Sequence, residues 1–408
     1  MKDKYPVAVF CMNARYDFWN DYRIRFLKEQ GATVNYLGPE FENLQGKGSK
    51  RMHALMHHCF KNERDLRERQ ERRPSKISRW PGILAGAMGT LLYKIIRLIY
   101  YRPKWARKIL VQTDARAIFF DHIMPEHYVV GTFLRAAHEL SIPTATLPHG
   151  VLLYTNDVTK AKSSDHRRRQ KFSRYDHIIA PNQLRKSALM KSGVPADKIV
   201  VLGSARYCPE WMAQNWKILP KVIKDGMNRT EKLKLVFFPS KPQCNVDLDR
   251  LSDTLKMLAE IDGIQVMIKP HTRTASPVDW PENRSLYEAS DVLTAELCGW
   301  ADAVLVVGSS VVTEALMRGK TALYLQYLHA NTTLFEELEA CWTIRDESEL
   351  KKAVLSLRKD KNKIPYQEEN VSRYLAAVVQ GGSEEKDILG RYKDFIVEIA
   401  CNAIEDDG

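Results

Sequence analysis

The chain has 408 residues, enough for two domains of ordinary size, and its 44% hydrophobic and 27% charged residues are typical of a folded globular protein. The seven cysteines are dispersed and show no zinc-finger spacing, and the first residues are polar. We therefore expect no secretory signal and no disulfide framework, but reduced thiols in the cytoplasm. The net charge of +12 indicates a negatively charged partner, but no nucleic-acid-binding signature accompanies it, so nucleic acid is not expected.

Short apolar strands alternate with helical patterns through the first half of the chain. Strands are predicted over 6–12, 33–37, 117–120, 144–147, 177–180 and 199–202. Helices are predicted over 18–30, 61–79, 126–140 and 182–192.

The alternation restarts after a linker that follows Gly203–Tyr207. Strands are predicted over 233–238, 265–268, 303–307 and 322–325, and helices over 248–261, 293–298, 313–317, 346–358 and the C-terminal segment. This repeated alternation predicts an α/β fold with two Rossmann-like parallel-sheet domains that face a cleft. We expect domains over 1–205 and 206–375, with a helical segment over 376–408 that packs back on the first domain.

The region 61–108 is a basic and apolar insertion. It contains 14 Lys/Arg residues against four Asp/Glu residues, and Trp80–Tyr101 within it is 22 residues long. Lys94 and Arg97 lie inside this stretch, which disfavours a transmembrane helix. An interfacial helix that binds an anionic membrane is one interpretation, and a core helix with a solvated basic face is the other.

Polar motifs follow six of the predicted strands. They are Asn13-Ala14-Arg15, Asp121-His122, His149-Gly150, Gly203-Ser204, Lys269-Pro270-His271 and Gly308-Ser309-Ser310. Ligands of open α/β sheets bind at the carboxyl ends of the strands, so these positions predict a ligand cleft.

The turn at Gly308-Ser309-Ser310 is the most informative of these motifs. It joins a buried strand to a helix, and it is expected to leave unpaired N–H groups beside two hydroxyls, where a phosphate could bind. Glu314, about one turn into the helix, could reach a ribose. The alternative is a capped turn in which Glu314 merely favours the helix N-terminus.

The order of the motifs resembles the GT-B glycosyltransferases of bacterial surface polysaccharides. The matching sequences are PHG at 148–150, GSARY at 203–207, KPH at 269–271 and GSSVVTEALMRGK at 308–320. The similar groups are capsule-polysaccharide transferases of the Kdo and sialic-acid type, and the CDP-glycerol glycerophosphotransferases. The resemblance covers roughly residues 115–345.

The resemblance implies a nucleotide-sugar donor held by the C-terminal domain and an acceptor held by the N-terminal domain. Lys269 and His271 would meet the donor phosphates or a carboxylate, and Glu314 would bind the ribose. The other residues implied in donor binding are Ser204, Arg206, Gly308, Ser309 and Ser310. Arg206 could instead be a surface arginine. No metal or other cofactor is expected, because no DxD-type carboxylate pair follows a strand.

An inverting transferase also needs a general base beside the acceptor hydroxyl. The candidates are His149, Asp121, Glu126, His122 and Asp17. His149 is favoured because its motif matches best and its ordinary pKa suits proton transfer. The residues expected to face the acceptor or the membrane are Arg15, Arg72, Arg73, Arg102, Lys104, Arg107 and Lys108.

The favoured hypothesis is a glycosyltransferase that modifies a surface polysaccharide or a lipid-linked glycan at the inner face of the membrane. The positive charge near Lys269 and Arg273 favours an acidic donor such as a CMP-activated sugar. The alternatives are a CDP-glycerol-type polyol-phosphate transferase, a sugar-nucleotide epimerase and a peripheral membrane scaffold without enzymatic activity.

Overall fold

The structure is a computed structural model that describes about two thirds of the chain. The described residues are 6–10, 33–36, 95, 102–121, 125, 128–148, 150–156, 169–218, 223, 231–240, 244, 246–270, 285–382 and 387–402. The predicted helices over 18–30 and 61–79 lie outside this part, as does Trp80–Tyr101 except for Ile95. For Asp121 the backbone alone is described.

The first sheet contains six parallel strands among the described residues, in the order β2-β1-β3-β4-β5-β6. These strands are β1 (Pro6–Phe10), β2 (Thr33–Tyr36), β3 (Ala117–Asp121), β4 (Thr144–Leu147), β5 (His177–Ala180) and β6 (Ile199–Val201). The helices of this half are α1 (Pro103–Gln112), α2 (Tyr128–Glu139) and α3 (Gln183–Lys191).

The second sheet is also parallel, with six strands in the described regions and the order β12-β11-β10-β7-β8-β9. They are β7 (Leu233–Phe238), β8 (Ile264–Ile268), β9 (Leu286–Glu288), β10 (Ala303–Val306), β11 (Thr321–Leu325) and β12 (Trp342–Ile344). The chain leaves β7 toward one edge and later returns to place β10 on its other side. The strand order therefore reverses between β7 and β10, which is where Rossmann-type sheets bind their ligands.

Eight further helices are described from residue 209 onward. They are α4 (Pro209–Ile218), α5 (Leu248–Ala259), α6 (Thr294–Trp300), α7 (Val311–Met317), α8 (Leu334–Glu337), α9 (Glu347–Lys359), α10 (Glu368–Val378) and α11 (Ile388–Asn402). None of the helices in the described regions is both long and apolar enough to cross a membrane.

Side chains alternate between the two faces of each sheet, as the period of a strand requires. Ile118 and Phe120 belong to a core under helices α1 and α2, whereas Phe119 faces the opposite side. In the second sheet the side chains of Phe237 and Phe238 likewise lie on opposite faces. The inward faces of both sheets share one hydrophobic core, which joins the two halves of the molecule.

The α/β class with two parallel sheets is confirmed, and the differences concern short or atypical elements. Strands β9 and β12 have three residues each, too few to show a period in the sequence. Helix α4 occupies the predicted linker and starts at Pro209, a residue favoured at the first helical position. In α1 the buried positions Ala106, Ile109 and Leu110 are helically spaced, but the surrounding basic run hides this pattern.

Candidate functional site

The loops after β7 and β10 meet Tyr154, which comes from the first half of the chain. The Tyr154 hydroxyl donates to the Gly308 carbonyl at 2.5 Å, and it is also hydrogen-bonded to Ser240. Burial raises the pKa of Tyr154 to about 12, so the phenol is a neutral hydrogen-bond donor at physiological pH. Gly308 has φ +63°, and a Cβ there would lie 2.5 Å from the Tyr154 hydroxyl, so both the backbone and this contact require glycine.

The segment 150–156 crosses from β4 to the second half of the molecule. The Leu334 N–H donates to the Leu153 carbonyl at 2.8 Å, and the Thr155 N–H donates to the Thr332 carbonyl at 3.1 Å. The Thr155 hydroxyl also donates to Glu337 Oε1 at 2.5 Å. The residues that follow the PHG sequence thus hold the carboxyl edge of β4 beside the turn at Gly308.

Glu314 lies in α7, directly behind this turn, and it is 3% exposed. Arg318 Nη2, one helical turn later, is 3.5 Å from Glu314 Oε1. The Arg318 guanidinium also lies 4.0 Å from the centre of the Trp216 ring, which fixes it over Glu314. Burial raises the pKa of the Glu314 carboxyl, although the charges of Arg318 and Arg206 oppose this shift.

The GSARY sequence lies against the same turn. The Arg206 charge acts on Glu314, and the Arg206 guanidinium lies 5.3 Å from the centre of the Tyr207 ring. The Tyr207 hydroxyl donates to Ser310 Oγ at 3.4 Å. Two motifs about 100 residues apart in the sequence, GSARY and GSS-x₃-E, are therefore neighbours in space, as an edge-of-sheet cleft requires.

Ser204 is 3% exposed, and its N–H donates to the Val379 carbonyl at 2.7 Å. Its backbone therefore fixes the linker to the C-terminal helices, and its expected role in donor binding stays a prediction.

The start of α7 differs from the expected row of unpaired N–H groups. The Val311 N–H donates to Ser309 Oγ at 3.4 Å, and the N–H groups of Val312 and Thr313 donate to the carbonyls of Ser309 and Ser310 at 3.1 Å. Ser310 occupies the cap position without a side-chain capping hydrogen bond. The turn closes on itself because α7 has only seven residues and its first turn is tight.

Lys269 follows β8 and is 7% exposed. Its ammonium group donates to the Ser290 carbonyl, which lies just beyond β9, and burial lowers its pKa while Asp291 opposes that shift. The described hydrogen bond of the Lys269 side chain is thus on the β9 side of the sheet, away from the position between β7 and β10 where the strand order reverses. Its role toward a donor phosphate stays a prediction, since a Lys ammonium has two further N–H groups to offer.

Asp121 ends β3, and its backbone pairs with Leu147 at the end of β4. Since His149 follows two residues later, the chain positions of these two candidate bases belong to neighbouring strand ends. The side chains of His149, Asp121, Glu126, His122, Asp17, His271, Arg15, Arg72 and Arg73 lie outside the described part of the structure. The side chains of Arg102, Lys104, Arg107 and Lys108 are described and line the exposed side of α1. Among the described residues, no group of three His, Cys, Asp or Glu side chains is arranged to hold a metal ion.

No protein-family model matches the chain, and no curated protein matches it. Solved structures do resemble it. UDP-N-acetylglucosamine 2-epimerase from Rickettsia bellii is 14% identical, with 99% of this chain and 98% of that chain covered and a TM-score of 0.56. The Methanocaldococcus jannaschii UDP-GlcNAc 2-epimerase, in complex with UDP-GlcNAc and UDP, is 14% identical, with 96% and 99% covered and a TM-score of 0.52.

The UDP-GlcNAc 2-epimerase of Neisseria meningitidis, bound to UDP-GlcNAc, is similar at 11% identity over 96% of this chain and 99% of that chain, with a TM-score of 0.52. The chain has a GT-B-like fold. This confirms the expected fold class, and at these identities the likeness concerns the fold alone.

The sequence reasoning missed several residues that build the site. Arg318 stands four residues after Glu314, a helical spacing that predicts an ion pair and was readable from the sequence. Tyr207 belonged to a quoted motif but had no assigned role. Tyr154 and Trp216 could not be found in this way, because their partners are more than 90 residues away in the chain.

Proposed function

We propose that the protein is a glycosyltransferase that takes a nucleotide-sugar donor in the second half of the molecule. The acceptor is a surface polysaccharide or a lipid-linked glycan bound by the first half, and the reaction proceeds without a metal. The charge around the donor side favours a CMP-activated acidic sugar. The GT-B-like fold supports this proposal, because the cleft between two such sheets is a natural place for two substrates to meet.

The arrangement of Glu314, Arg318 and Arg206 is the observation that carries the proposal. Glu314 is 3% exposed, it accepts a hydrogen bond from Arg318 Nη2 at 3.5 Å, and the charge of Arg206 acts on it. The two oxygens of a carboxylate have lone pairs for further hydrogen-bond donors. The two hydroxyls of a ribose are such donors. The location, immediately behind the loop where the strand order reverses, is where a nucleotide fits in this class of sheet.

The reaction requires a site that stabilises negative charge on the departing nucleotide. As the glycosidic bond breaks, negative charge grows on the leaving phosphate, and fixed cations lower the energy of that state. Arg206, beside Ser310 and Tyr207, is positioned to supply such a charge, and Lys269 is the second candidate. His149 is proposed as the base that removes the acceptor proton, with Asp121 as the alternative.

A sugar-nucleotide 2-epimerase is the second candidate, because three similar solved structures are UDP-GlcNAc 2-epimerases that match nearly the whole chain. Such an enzyme would use the same nucleotide site but no acceptor. The basic surplus in 61–108 would then have no role in substrate binding, which is why the transferase is preferred.

Nucleotide binding is the first test. Thermal unfolding is measured with CMP, CDP, UDP, GDP and ADP, because a ligand that binds only the folded state adds about 2.7 kcal/mol of stability at 100 times its Kd. We expect one nucleotide to raise the melting temperature. Glu314→Gln should weaken this nucleotide about 10-fold to 100-fold, as expected for a lost hydrogen bond to a charged group.

Glu296→Gln is the matched control for this experiment. Glu296 lies on the adjacent helix α6 and accepts a hydrogen bond from the Ile223 N–H at 2.7 Å, which the Gln carbonyl oxygen can also accept, so this change removes one carboxylate charge and should leave nucleotide affinity unchanged. If no nucleotide binds, or if both variants lose binding equally, Glu314 does not form a ribose site.

The product separates the two enzymatic candidates. The protein is incubated, without acceptor, with a sugar nucleotide that contains the nucleotide found to bind. The configuration of the sugar is then followed by NMR. A transferase leaves the configuration at C2 unchanged, whereas an epimerase interconverts the two C2 isomers. Conversion without acceptor would overturn the transferase in favour of the epimerase.

A further inference from the structure

A cavity lies in the first half of the molecule, at the carboxyl ends of β4 and β5. Its volume is about 210 Å³. The segment after β4, the turn Lys171–Arg174, strand β5 and helix α3 line it. Pro148 and Gly150, which flank His149 in the chain, are both part of its wall. Two residues of its wall are therefore the chain neighbours of the proposed base.

The described side chains that line this cavity are apolar except for one. Among the described lining residues the side chains are aliphatic, aromatic or proline, including Val151, Phe172 and Leu189, and the single charged side chain is Arg185. A hydrophobic wall with one cation is the arrangement that suits a molecule with an apolar body and one negative group.

A second arginine lies close to the first. Burial lowers the pKa of Arg185 to about 10, and the positive charge of Arg169 lowers it further. An anion beside Arg185 would accept charge-assisted hydrogen bonds from its guanidinium group, and the positive charge of Arg169 would add to the attraction. Arg169 belongs to the basic run Lys160–Arg174, which carries seven Lys/Arg residues and one Asp.

Hydrogen bonds join two walls of the cavity. Asn182 caps α3 by accepting a hydrogen bond from the Arg185 N–H at 2.9 Å, and its amide donates to the Leu152 carbonyl at 3.1 Å. This residue is 1% exposed, so it ties the helix that carries Arg185 to the opposite wall. A preorganised site loses little conformational entropy on binding.

The size limits what can bind. Pockets for drug-sized ligands range over roughly 300–1,000 Å³, and this cavity is smaller. It is therefore unsuited to a whole nucleotide sugar, but it accommodates an anionic group and the first carbons of a chain.

We propose that the cavity bounded by Gly150, Phe172 and Arg185 binds the anionic end, a phosphate or a carboxylate, of a molecule with an apolar chain. That this molecule is the acceptor rests on the proposed function. The binding itself depends only on the cavity and the two arginines.

Hexyl phosphate is the probe, measured by isothermal titration calorimetry on the full chain without nucleotide. Hexanoate, hexanol and inorganic phosphate separate the contributions of charge and chain. We expect hexyl phosphate or hexanoate to bind more tightly than both hexanol and inorganic phosphate, and the tighter of the two names the anionic group. Arg185→Gln should weaken that ligand by at least about 10-fold, the lower end expected for a charged hydrogen bond.

Two further variants make the result specific. Arg135→Gln removes an exposed arginine of α2 and should leave binding unchanged. Gly150→Leu adds bulk at the wall, where a Cβ meets no atom within 4 Å, and should weaken binding while both arginines remain. If Arg185→Gln fails to fold, the ligand affinity of Gly150→Leu still tests the proposal.

Equal affinity of the anionic ligands for wild type, Arg185→Gln and Gly150→Leu would overturn the proposal. So would inorganic phosphate or hexanol binding as tightly as hexyl phosphate. Nucleotide affinity, measured in the same samples, keeps the two proposals separate. Loss of nucleotide binding alone would refute the donor site and leave this one intact.

Discussion

His329 and Glu314 lie beside the cleft, and burial shifts the pKa of each toward its neutral form. His329 is 6% exposed, its Nδ1 accepts from the Asn331 N–H at 3.2 Å, and its ring contacts Tyr154 and Tyr324 edge-on. Burial lowers its pKa to about 4 and raises that of Glu314. A raised carboxyl pKa means that the folded state gains stability as pH falls, whereas a lowered histidine pKa means that it loses stability.

The His329 shift predicts a measurable loss of stability in mild acid. The unfolded chain takes up the proton near pH 6.5 and the folded chain near pH 4, so stability falls between these values. Between pH 7.5 and pH 5 wild type should lose about 2 kcal/mol more than His329→Asn, whose amide oxygen can replace Nδ1 as acceptor. Urea unfolding at both pH values tests this, and parallel losses in the two proteins would contradict it.

A single methyl group at Gly203 should be harmful, because it would meet rigid backbone. Gly203 has φ +87°, and a Cβ would lie 2.7 Å from the Val379 carbonyl. Gly203→Ala should lower the free energy of unfolding by at least about 2 kcal/mol, the cost of a left-handed backbone with a contact added. Urea unfolding of Gly150→Ala, expected within about 0.5 kcal/mol of wild type, is the control. An equal effect at both glycines would disprove the steric argument.

At the scale of elements, helix α1 has one basic face. Lys104, Arg107, Lys108 and Val111 are exposed and recur with helical spacing, while Ala106, Ile109 and Leu110 are buried. The only described ion pair of these cations is that of Arg107 with Glu139, at 3.9 Å and largely exposed, so their charge remains available to a partner. This geometry fits the predicted anionic surface without testing it.

The basic face predicts binding to anionic lipid. Each cation near such a surface contributes about 1 kcal/mol, so replacing Lys104, Arg107 and Lys108 by Gln should weaken binding to phosphatidylglycerol vesicles about 100-fold. Cosedimentation measures the affinity, which should also fall with salt. The control replaces Lys351, Lys352 and Lys359 of helix α9, which are equally exposed. Equal losses in both triple variants would show that net charge, and not this face, is responsible.

On the scale of the whole molecule, the last helix belongs to the first half of the fold. The Tyr392 hydroxyl donates to the Gly203 carbonyl at 3.0 Å, and the Phe395 ring lies 5.4 Å from that of His177 in β5. Ile388 and Ile396 are completely or almost completely buried. The chain therefore returns, after completing the second sheet, to cover the inner face of the first.

This arrangement predicts that a chain shortened to end at Gly382 loses the folded structure of the first half but keeps that of the second half. Each large apolar side chain removed contributes about 1.5–3 kcal/mol, and α11 buries several, a total comparable with the roughly 5–15 kcal/mol of a whole domain. Hydrogen exchange measured by mass spectrometry should show that β3, β4 and β5 lose protection while β7, β10 and β11 keep it. Tyr392→Phe, which removes one hydrogen bond, should cost about 1 kcal/mol. Full protection of β3 in the shortened chain would rule the prediction out.

The sequence by itself determined the local structure. The strand Leu233–Phe238 was predictable because it is an almost continuous apolar run, and the helix Leu248–Ala259 because its apolar residues repeat with the helical period. Both patterns are properties of neighbours in the chain. The short motifs at the strand ends indicated where the cleft lies, since parallel strands bring their carboxyl ends to one edge.

Only the tertiary structure decided which side chains meet. Tyr154 at Gly308 and Lys269 at Ser290 are contacts between distant parts of the chain, and Arg206 acts through its charge on Glu314 of helix α7. Periodicity carries no information about such contacts, because they depend on the twist of the sheets and on the path of the crossing segment 150–156. The cavity beside Arg185 has the same origin, since its walls come from four separate parts of the chain.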